Sequence, residues 1–392
     1  MLRVMSRALT HRGPDDRGML IDRELAIAAR RLSIIDVALG HQPVYGEDGL
    51  VAAVLNGEIY NAAELRAQLA HNGHRFVSRC DTEVVVHAYE EWGEASVTEL
   101  RGMFALAVWD GRTAPPQLLL ARDRLGIKPL YYCAQEARFA FASEVRALLR
   151  AGMAAPRLSR TGLESYLAFG SVQEPVTLVA GVQSLPAGHL LHVRGSTRTL
   201  RRYWDLPEQH ETRAAATIGD TPRRVAELLE DAVHRQLASD TEVGVFLSGG
   251  MDSTALIAIA SELRTPIHSF TVRFAERAFD EGAAAQRAAA RWGSAHREVT
   301  VAASDVQAEL PRYLRAMDQP SMDGINTYFV ARAAAESRVP VVLSGLGGDE
   351  TFGGYALFEE LAALARARAA LAPPRALDAG RRCAPARRRR PR

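Results

Sequence analysis

The segment that decides the fold is EVGVFLSGGMDSTALIAIASEL, residues 242–263. A short apolar run leads into Ser-Gly-Gly, and a longer one follows an aspartate, which is typical of a strand, a tight loop and a helix. Glycines let a backbone approach a ligand closely, and a helix that begins directly afterwards points its free N–H groups at the loop. The segment therefore predicts an anion-binding loop. A plain strand-to-helix turn, with Asp252 in the first helical turn, explains the same residues equally well.

A second loop, VVLSGLGGDETFGGY at residues 341–355, repeats this arrangement with Ser344, Gly345 and the acids Asp349 and Glu350. The first loop lacks the lysine of a Walker A motif, so another group must meet the phosphates. Mg²⁺ prefers hard oxygen ligands, which makes Asp252 and Asp349 its candidate ligands. Two glycine loops at the ends of parallel strands, each followed by an acid, predict one nucleotide held from two sides with the metal between them.

The composition indicates a globular protein with more than one core. Its 392 residues are enough for two ordinary domains, and 47% hydrophobic with 24% charged residues is typical of a soluble globular chain. The last twelve residues contain seven arginines and no acid, and without these charges the net charge of +2 becomes −5. A mildly acidic body with one basic tail predicts no specific nucleic-acid partner. Lys128 is the only lysine, which we interpret as coding composition without functional weight.

The chain shows no sequence signal for a membrane or for secretion. No segment approaches the roughly 20 apolar residues that cross a bilayer, and the N-terminus lacks the features of a signal peptide. We therefore expect a cytoplasmic protein without a membrane partner. Cys80, Cys133 and Cys383 are far apart and in no CxxC pairing, which argues against a disulfide framework and a zinc site.

The pattern of apolar residues changes along the chain. Up to about Arg202 it predicts short antiparallel strands, among them LVAAVLNGEIY, MFALAVWD, QLLLARD, PLYYCA, RFAFASE and HLLHV, and helices at AAELRAQLAHNG and TEVVVHAYEEWG. Phe104, Leu106 and Val108 alternate with alanines, so one face of their strand is bulky and the other allows close approach. Beyond about Thr221 strands alternate with Ala-rich helices, which predicts βαβ units, a parallel sheet and ligands at the carboxyl ends of its strands. The fold class is therefore α/β with two domains.

Several ordered motifs are similar to those of one enzyme family. The SGGxDS loop after a strand resembles that of the ATP pyrophosphatases. Its combination with SGLGGDETFGGY, SFTVRF, HRGPDDRG, RLSIID, NGEIYN, CDTEVVV, ARDRLGIKPLYY and FASEVRALL resembles the glutamine-hydrolysing asparagine synthetases over about residues 11–355. The resemblance implies an N-terminal layered α-β-β-α domain of the N-terminal-nucleophile type, a class II glutamine amidotransferase, at 1–202. It further implies a parallel-sheet ATP-pyrophosphatase domain at 221–360. The change of pattern between the two halves predicts a linker at 203–220, and the Ala- and Arg-rich composition predicts a low-complexity tail at 361–392.

For the second domain the resemblance implies adenylation of a carboxylate, aspartate in the family, and displacement of AMP by ammonia derived from glutamine. The implied ATP-binding residues are Leu247, Ser248, Gly249, Gly250, Asp252, Ser253, Val272, Ser344 and Gly345, with Mg²⁺ held by Asp252 and Asp349. The candidate acceptor contacts in DQPSMDGINTYF are Asp318, Asp323 and Asn326. A capped helix entrance explains these three residues equally well.

For the first domain the resemblance implies a glutamine site. The implied glutamine-binding residues are Arg31, Leu32, Ser33, Ile34, Ile35, Asn56, Gly57, Glu58 and Asp81. Asn56 and Gly57 match the oxyanion hole, Arg31 the cation for the glutamine carboxylate, and Glu58 and Asp81 the acids that meet the substrate amine. Each has a simpler alternative: Asn-Gly is also the commonest hairpin signal, Arg31 suits a solvated surface, and Asp81 suits a helix cap.

The chain departs from the family pattern in three places. It starts Met1-Leu2 without the cysteine whose α-amine serves as base, so as written it is not expected to hydrolyse glutamine. Leu346 stands where asparagine-forming members carry an acid, so another carboxylate is an alternative acceptor. No lysine follows Lys128 to complete the pyrophosphate pocket. A truncated nucleotide-binding remnant and a nucleic-acid contact through the arginine tail are further alternatives, and a homodimer is left open.

Overall fold

The computed structural model of the protein describes residues 1–22, 24–135, 138–206, 220–264, 266–274 and 280–371. Its strands are β1 Asp16–Ile21, β2 Ala26–Arg31, β3 Val44–Tyr45, β4 Val51–Ile59, β5 Gly102–Asp110, β6 Gln117–Arg122, β7 Tyr131–Gln135, β8 Arg138–Ala142, β9 Val182–Ser184, β10 His189–Arg194, β11 Thr197–Arg202, β12 Val243–Phe246, β13 His268–Phe274, β14 Ala295–Val301 and β15 Val341–Leu343. Its helices are α1 Leu2–Ala8, α2 Ala62–His71, α3 Asp81–Trp92, α4 Ser96–Glu99, α5 Val145–Arg150, α6 Arg160–Phe169, α7 Thr221–Gln236, α8 Met251–Leu263, α9 Gly282–Trp292, α10 Ala303–Ala316, α11 Ile325–Glu336, α12 Gly348–Phe352 and α13 Ala356–Leu371, with 3₁₀ turns at Thr10–Arg12 and Gly93–Ala95.

The first half is built on a six-stranded antiparallel sheet with the order β11-β10-β6-β5-β4-β3. In the central strand β5, large and small apolar residues alternate, and the two sets face different cores. Phe104, Leu106 and Val108 face a core shared with α2 and α3, whereas Ala105 and Ala107 face a second core on the other side of the sheet. Side chains alternate between the faces of a strand, so a fully buried strand must satisfy two cores at once. The predicted bulky and close-approach faces are confirmed.

Four layers stack in the first half. The second core of the large sheet is closed by two smaller sheets, β1-β2 and β8-β7-β9. Helices α1 and α5 cover the outer side of these smaller sheets through a third core that includes Ala8, Ala140 and Leu148. The sequence of layers is therefore helix, sheet, sheet, helix, which is the layered α-β-β-α domain that the family resemblance implies.

The second half contains a four-stranded parallel sheet in the order β14-β13-β12-β15. Helices α7, α8 and α9 contribute to the core on one face, and α11 contributes to the core on the other. A parallel sheet covered on both faces needs strands that are apolar throughout, which the runs at β12 and β15 supply. The predicted α/β architecture is confirmed.

The contacts within the chain divide it into two compact units, Met1–Ser344 and Gly345–Arg392. Most of the predicted linker, residues 207–219, lies outside the described residues, and so does the tail from residue 372, which includes Cys383. None of the helices that the structure describes is long and apolar enough to span a membrane.

Candidate functional site

Asn56 and Gly57, the predicted oxyanion pair, lie inside β4 and not in a turn. They pair with Ala105 and Phe104 of β5, in a ladder that runs the whole length of β4. The hairpin interpretation of Asn-Gly is therefore wrong. The Asn56 side-chain amide donates to the Ser143 hydroxyl across 3.4 Å, and both residues line a cavity of about 1010 Å³ between the sheets. The amide thus reaches a space large enough for a small substrate.

Gly57 occupies a position that only glycine fits. Its φ of 153° lies outside the range that L side chains normally adopt, and a Cβ there would lie 2.0 Å from the Met103 carbonyl oxygen and 2.7 Å from the Phe104 Cα. The β4 and β5 backbones therefore approach closely at this point, and a residue with a side chain would push them apart. An oxyanion hole uses a backbone N–H as a donor, and Gly57 as that donor stays a prediction.

Two buried carboxyl groups lie next to this strand. Glu58 and Asp81 are each only 9% exposed, and Asp81 accepts the Ile59 N–H at 3.0 Å. Burial, with the Asp81 charge added to it, raises the pKa of Glu58 from 4.5 to about 7, and burial likewise raises the pKa of Asp81. Asp81 is the first residue of α3, and the residue at the N-cap is Cys80, so Asp81 does not cap this helix from the expected position.

Sequence reasoning missed Lys128, which belongs to the same group. Burial is the main cause that lowers the pKa of Lys128, and the charge of Lys128 opposes part of the rise in the pKa of Glu58. Asp123 holds the turn in which Lys128 lies, because its carboxylate accepts the Ile127 and Lys128 N–H groups at 2.9 and 3.0 Å. The available signal was that this is the only lysine of an arginine-rich chain.

We expect Glu58→Gln to stabilise the protein at pH 8 and to change its stability little at pH 4.5. A carboxyl group whose folded pKa is raised is neutral and favourable below its ordinary value, and this contribution is lost as the pH rises through about 7. For this shift in the pKa of Glu58, the folding free energy lost between low and high pH is at most about 3 kcal/mol. Urea unfolding of the parent and the variant at both pH values measures it. Glu99→Gln, at an exposed residue, is the control; equal pH dependence in all three proteins would contradict the buried-acid assignment.

The buried cysteines of this domain are poor nucleophiles. Burial raises the pKa of both the Cys80 and the Cys133 thiol, and the thiolate is the reactive form. Neither therefore substitutes for the terminal cysteine that the resemblance implies.

Arg31 ends β2 and organises the loop that follows it. Its guanidinium donates to the carbonyl oxygens of Ile35 at 2.6 Å and Asp36 at 2.8 Å, so it is not the solvated surface charge of the simpler interpretation. Two of the remaining predicted residues contact other segments: the Ser33 N–H donates to Asp15, and the Ile34 carbonyl accepts the Asp240 N–H. Leu32 is 39% exposed. The role of residues 31–35 in binding glutamine stays a prediction.

This loop is also tied to the second half of the chain. The Asp240 carboxylate accepts the Asp36 N–H at 2.8 Å, and the Asp240 N–H donates to Ile34 at 3.1 Å. Asp240 lies just before β12, the strand that leads into the first glycine loop. The predicted glutamine loop therefore contacts the segment that leads into β12, which sequence motifs do not reveal.

The first glycine loop joins the carboxyl end of the inner strand β12 to helix α8. The Leu247 N–H donates to the Phe270 carbonyl, and the Ser248 and Ser253 hydroxyls lie 3.0 Å apart across the turn. Gly249 has φ +80° and a Cβ there would lie 2.7 Å from the Cβ of Ala284. The loop thus lies against the first turn of α9 as well as before α8, with Asp252 half-buried in the first turn of α8. Two helix N-termini near one glycine turn favour an anion.

The strand order puts this loop at the switch point of the sheet. Strands β12, β13 and β14 follow one another in one direction, and β15 then returns to the other side of β12. In open α/β sheets the crevice where the order reverses is the ordinary ligand site. Ser344 directly follows β15, and Val272 lies in β13 opposite Val299. Gly345 and Asp349 belong to the second compact unit, so their assignment stays a prediction from the sequence.

The predicted acceptor residues have different surroundings. Both carboxylate oxygens of Asp318 are engaged by the first half of the chain: they accept the Val145 N–H at 2.6 Å and the Arg146 N–H at 2.9 Å. The Asp323 carboxylate accepts the neighbouring Gly324 N–H at 2.6 Å, and Asn326 is exposed in the first turn of α11. Asp318 thus lies at the N-terminus of α5, where sequence could not place it, and its acceptor role stays a prediction.

The chain is similar to known proteins along most of its length. The family described as a glutamine amidotransferase domain matches residues 1–204, and the family described as asparagine synthase matches residues 224–391. Glutamine-hydrolyzing asparagine synthetase 1 of Bacillus subtilis is 36% identical over 92% of this chain and 56% of its own length. Glutamine-hydrolyzing asparagine synthetase 3 of the same organism is 34% identical over 90% of this chain and 60% of its own length.

An archaeal relative is covered more completely. The putative glutamine-hydrolyzing asparagine synthetase 2 of Methanocaldococcus jannaschii is 32% identical over 90% of this chain and 72% of its own length. This chain spans little more than half the length of the two Bacillus relatives. The buried carboxyl groups of Glu58 and Asp81 beside β4 lie in the first matched region, and the glycine loop at the switch point lies in the second. The chain belongs to the asparagine synthase family, with a glutamine amidotransferase domain preceding the asparagine synthase domain.

Proposed function

We propose that this chain catalyses ATP-dependent amidation of a carboxylate, with aspartate as the acceptor and asparagine as the product. An acceptor oxygen attacks the α-phosphorus of ATP and pyrophosphate leaves; ammonia then attacks the acyl carbon and AMP leaves. The observation that carries the proposal is the glycine loop at 248–250, which lies at the switch point between β12 and β15 and against two helix N-termini. Chemistry at the α-phosphate explains why this loop needs no Walker lysine.

The residues present suit a Mg²⁺ ion. Asp252 offers carboxylate oxygens from the first turn of α8, immediately after the loop, and hard oxygen ligands are those that Mg²⁺ prefers. Asp252 is the ligand we propose on structural grounds, and Asp349 is a second ligand on sequence grounds alone. When bound, the ion would neutralise charge on the departing pyrophosphate.

For the first domain we propose a glutamine site, whose release of ammonia depends on the terminal cysteine that the resemblance implies and that Cys80 and Cys133 do not replace. Asn56 Nδ2 and the Gly57 N–H would stabilise the oxyanion, while Glu58 and Asp81 would receive the substrate amine next to β4. A glutamine site beside Asn56 is supported by the cavity that Asn56 and Ser143 line. Ammonia supplied directly tests the second domain without relying on this half of the proposal. We further propose a cytoplasmic reaction on small molecules.

A different carboxylate is a second candidate acceptor. Leu346 is 81% exposed and cannot provide a charge, and the Asp318 carboxylate is already engaged by Val145 and Arg146. Both observations reduce the polar groups available to hold free aspartate. Mass spectrometry of the products formed from aspartate and from a panel of carboxylic acids, each with ammonium chloride, distinguishes the two candidates.

We expect the chain to exchange labelled pyrophosphate into ATP in the presence of Mg²⁺ and its carboxylic acid. Asp252→Asn should lower the exchange rate by about 100-fold or more, because it removes a carboxylate ligand of the Mg²⁺ ion that would neutralise the charge on pyrophosphate. Glu262→Gln, at an exposed residue in the last turn of the same helix, is the matched control and should leave the rate unchanged. Mg-ATP binding without exchange for any acid would reject the enzyme in favour of a nucleotide-binding protein without turnover.

A further inference from the structure

Four side chains with nitrogen and oxygen ligand atoms converge beside helix α3. Glu47 precedes β4, His74 follows α2, and His87 and Glu90 lie in α3. One ligand atom from each lies within 4.8 Å of all the others. None of the four residues takes part in the proposed chemistry. The cluster therefore needs its own explanation.

The cluster combines one direct hydrogen bond with two longer separations. His87 Nδ1 is hydrogen-bonded to Glu90 Oε2 at 2.9 Å, while His74 Nδ1 lies 3.7 Å from Glu47 Oε2 and 3.9 Å from Glu90 Oε2. Two ligands of one tetrahedral Zn²⁺ ion, each about 2 Å from the metal, are about 3.3 Å apart. The last two separations are too long for hydrogen bonds, but a small closure brings all of them into that range.

The surroundings of His74 favour a cation as a shared partner. Its Nε2 lies 3.3 Å from Glu91 Oε2, so one ring nitrogen already faces a carboxylate. Its Nδ1 is buried, has no hydrogen-bond partner among the described residues, and lies near the Glu47 and Glu90 carboxylates. A buried ring nitrogen without a hydrogen bond is unfavourable, and a cation placed between it and the two carboxylates would satisfy all three groups. A carboxylate on the far nitrogen is the usual arrangement behind a metal-binding histidine.

The remaining ligands are held in place by packing. The His87 side chain is 2% exposed and the Glu90 side chain is 10% exposed. Gly46 lies directly against Glu90, since a Cβ there would be 1.8 Å from Glu90 Oε1. The packed protein structure thus holds the cluster in place, and Glu47, whose side chain is 45% exposed, lies on the side that faces solvent.

We propose that His74, His87, Glu47 and Glu90 bind one divalent cation of the Zn²⁺ class. Two imidazole and two carboxylate ligands are a donor set that suits tetrahedral Zn²⁺, whereas Mg²⁺ prefers oxygen ligands alone. The ion would join the turn before β4, the loop after α2 and helix α3. Because α3 begins at Asp81, about 9 Å along the helix axis from His87, the ion would also hold this predicted glutamine-site carboxylate in position.

The test is calorimetric titration of the full chain, stripped by a chelator, with ZnCl₂. We expect one ion per chain, and at least a 100-fold weaker association for His74→Gln, which removes the proposed Nδ1 ligand. His192→Gln is the matched control, because His192 also contacts a carboxylate, Glu94, but lies outside the cluster. No binding by the parent, or equal binding by His74→Gln and the parent, would overturn the proposal.

A second measurement covers the case in which a variant fails to fold. Co²⁺ added to the stripped parent should produce the visible absorption of a tetrahedral nitrogen-oxygen site, without the near-ultraviolet charge-transfer band of a thiolate ligand. An octahedral spectrum, or a thiolate band from a cysteine site, would overturn the proposal without any substitution.

Discussion

Replacing Gly57 with alanine is expected to prevent the first domain from folding stably. The new methyl group would lie 2.0 Å from the Met103 carbonyl oxygen and 2.7 Å from the Phe104 Cα, both of them backbone atoms at the centre of the main sheet. The φ of 153° adds strain that glycine alone avoids. Because β4 and β5 are locked by their full ladder, neither can move away, and a loss of more than about 4 kcal/mol is expected. Urea unfolding monitored by circular dichroism measures it.

Gly73→Ala separates the steric clash from backbone strain. Gly73 also has a positive φ, of 106°, but a Cβ there meets nothing within 4 Å. Its substitution should cost only about 1–2 kcal/mol, the strain of a side chain in this region. Equal unfolding midpoints for the two variants would contradict the close approach of the β4 and β5 backbones at Gly57.

Replacing Asp318 with alanine is expected to cost about 2–4 kcal/mol, because it leaves polar groups of the first domain without a partner. Asp318 is 13% exposed and accepts the Val145 and Arg146 N–H groups at the start of α5. The Arg146 guanidinium reaches back and donates to the Arg315 and Ala316 carbonyls near the end of α10. One carboxylate and one guanidinium thus join the two halves reciprocally. A lower urea midpoint is the expected result.

Asp323→Ala is the matched control on the same segment. Asp323 is exposed and its carboxylate accepts only the adjacent Gly324 N–H among the hydrogen bonds of the described residues, so this substitution should change stability by less than about 1 kcal/mol. If Asp318→Ala unfolds at the same urea concentration as Asp323→Ala and instead raises the acceptor KM in the exchange assay, Asp318 serves the substrate and not the domain contact.

Local patterns predicted the elements on which the fold rests. The alternation of Phe104, Leu106 and Val108 with alanines predicted a strand between two cores, and the apolar runs at β12 and β15 predicted a parallel sheet. These patterns work because a strand or helix facing a core repeats its apolar residues at its own period. The β1-β2 pair was missed, since most of its residues are only partly buried and show no clear alternation.

Other residues could not be assigned from their neighbours in sequence. Asn56-Gly57 suits a hairpin until β5 is known to pair with it, and Lys128 has no pattern that places it beside Glu58. His74 and His87 are thirteen positions apart with no ligand-like spacing, and they meet because α2 and α3 pack side by side on the sheet. In each case the chemistry of the residue depends on a partner distant in the chain.

The sequence by itself determined the family, the layered first domain, the parallel second sheet and the glycine loop before α8. These depend on periodicity and on short motifs, which are local properties of a chain. Only the tertiary structure decided that Gly57 needs to be glycine, that Asp318 joins the two halves, and that two histidines and two glutamates face one another. These depend on distances between segments that folding brings together, and buried charges and close backbone contacts acquire their meaning only at those distances.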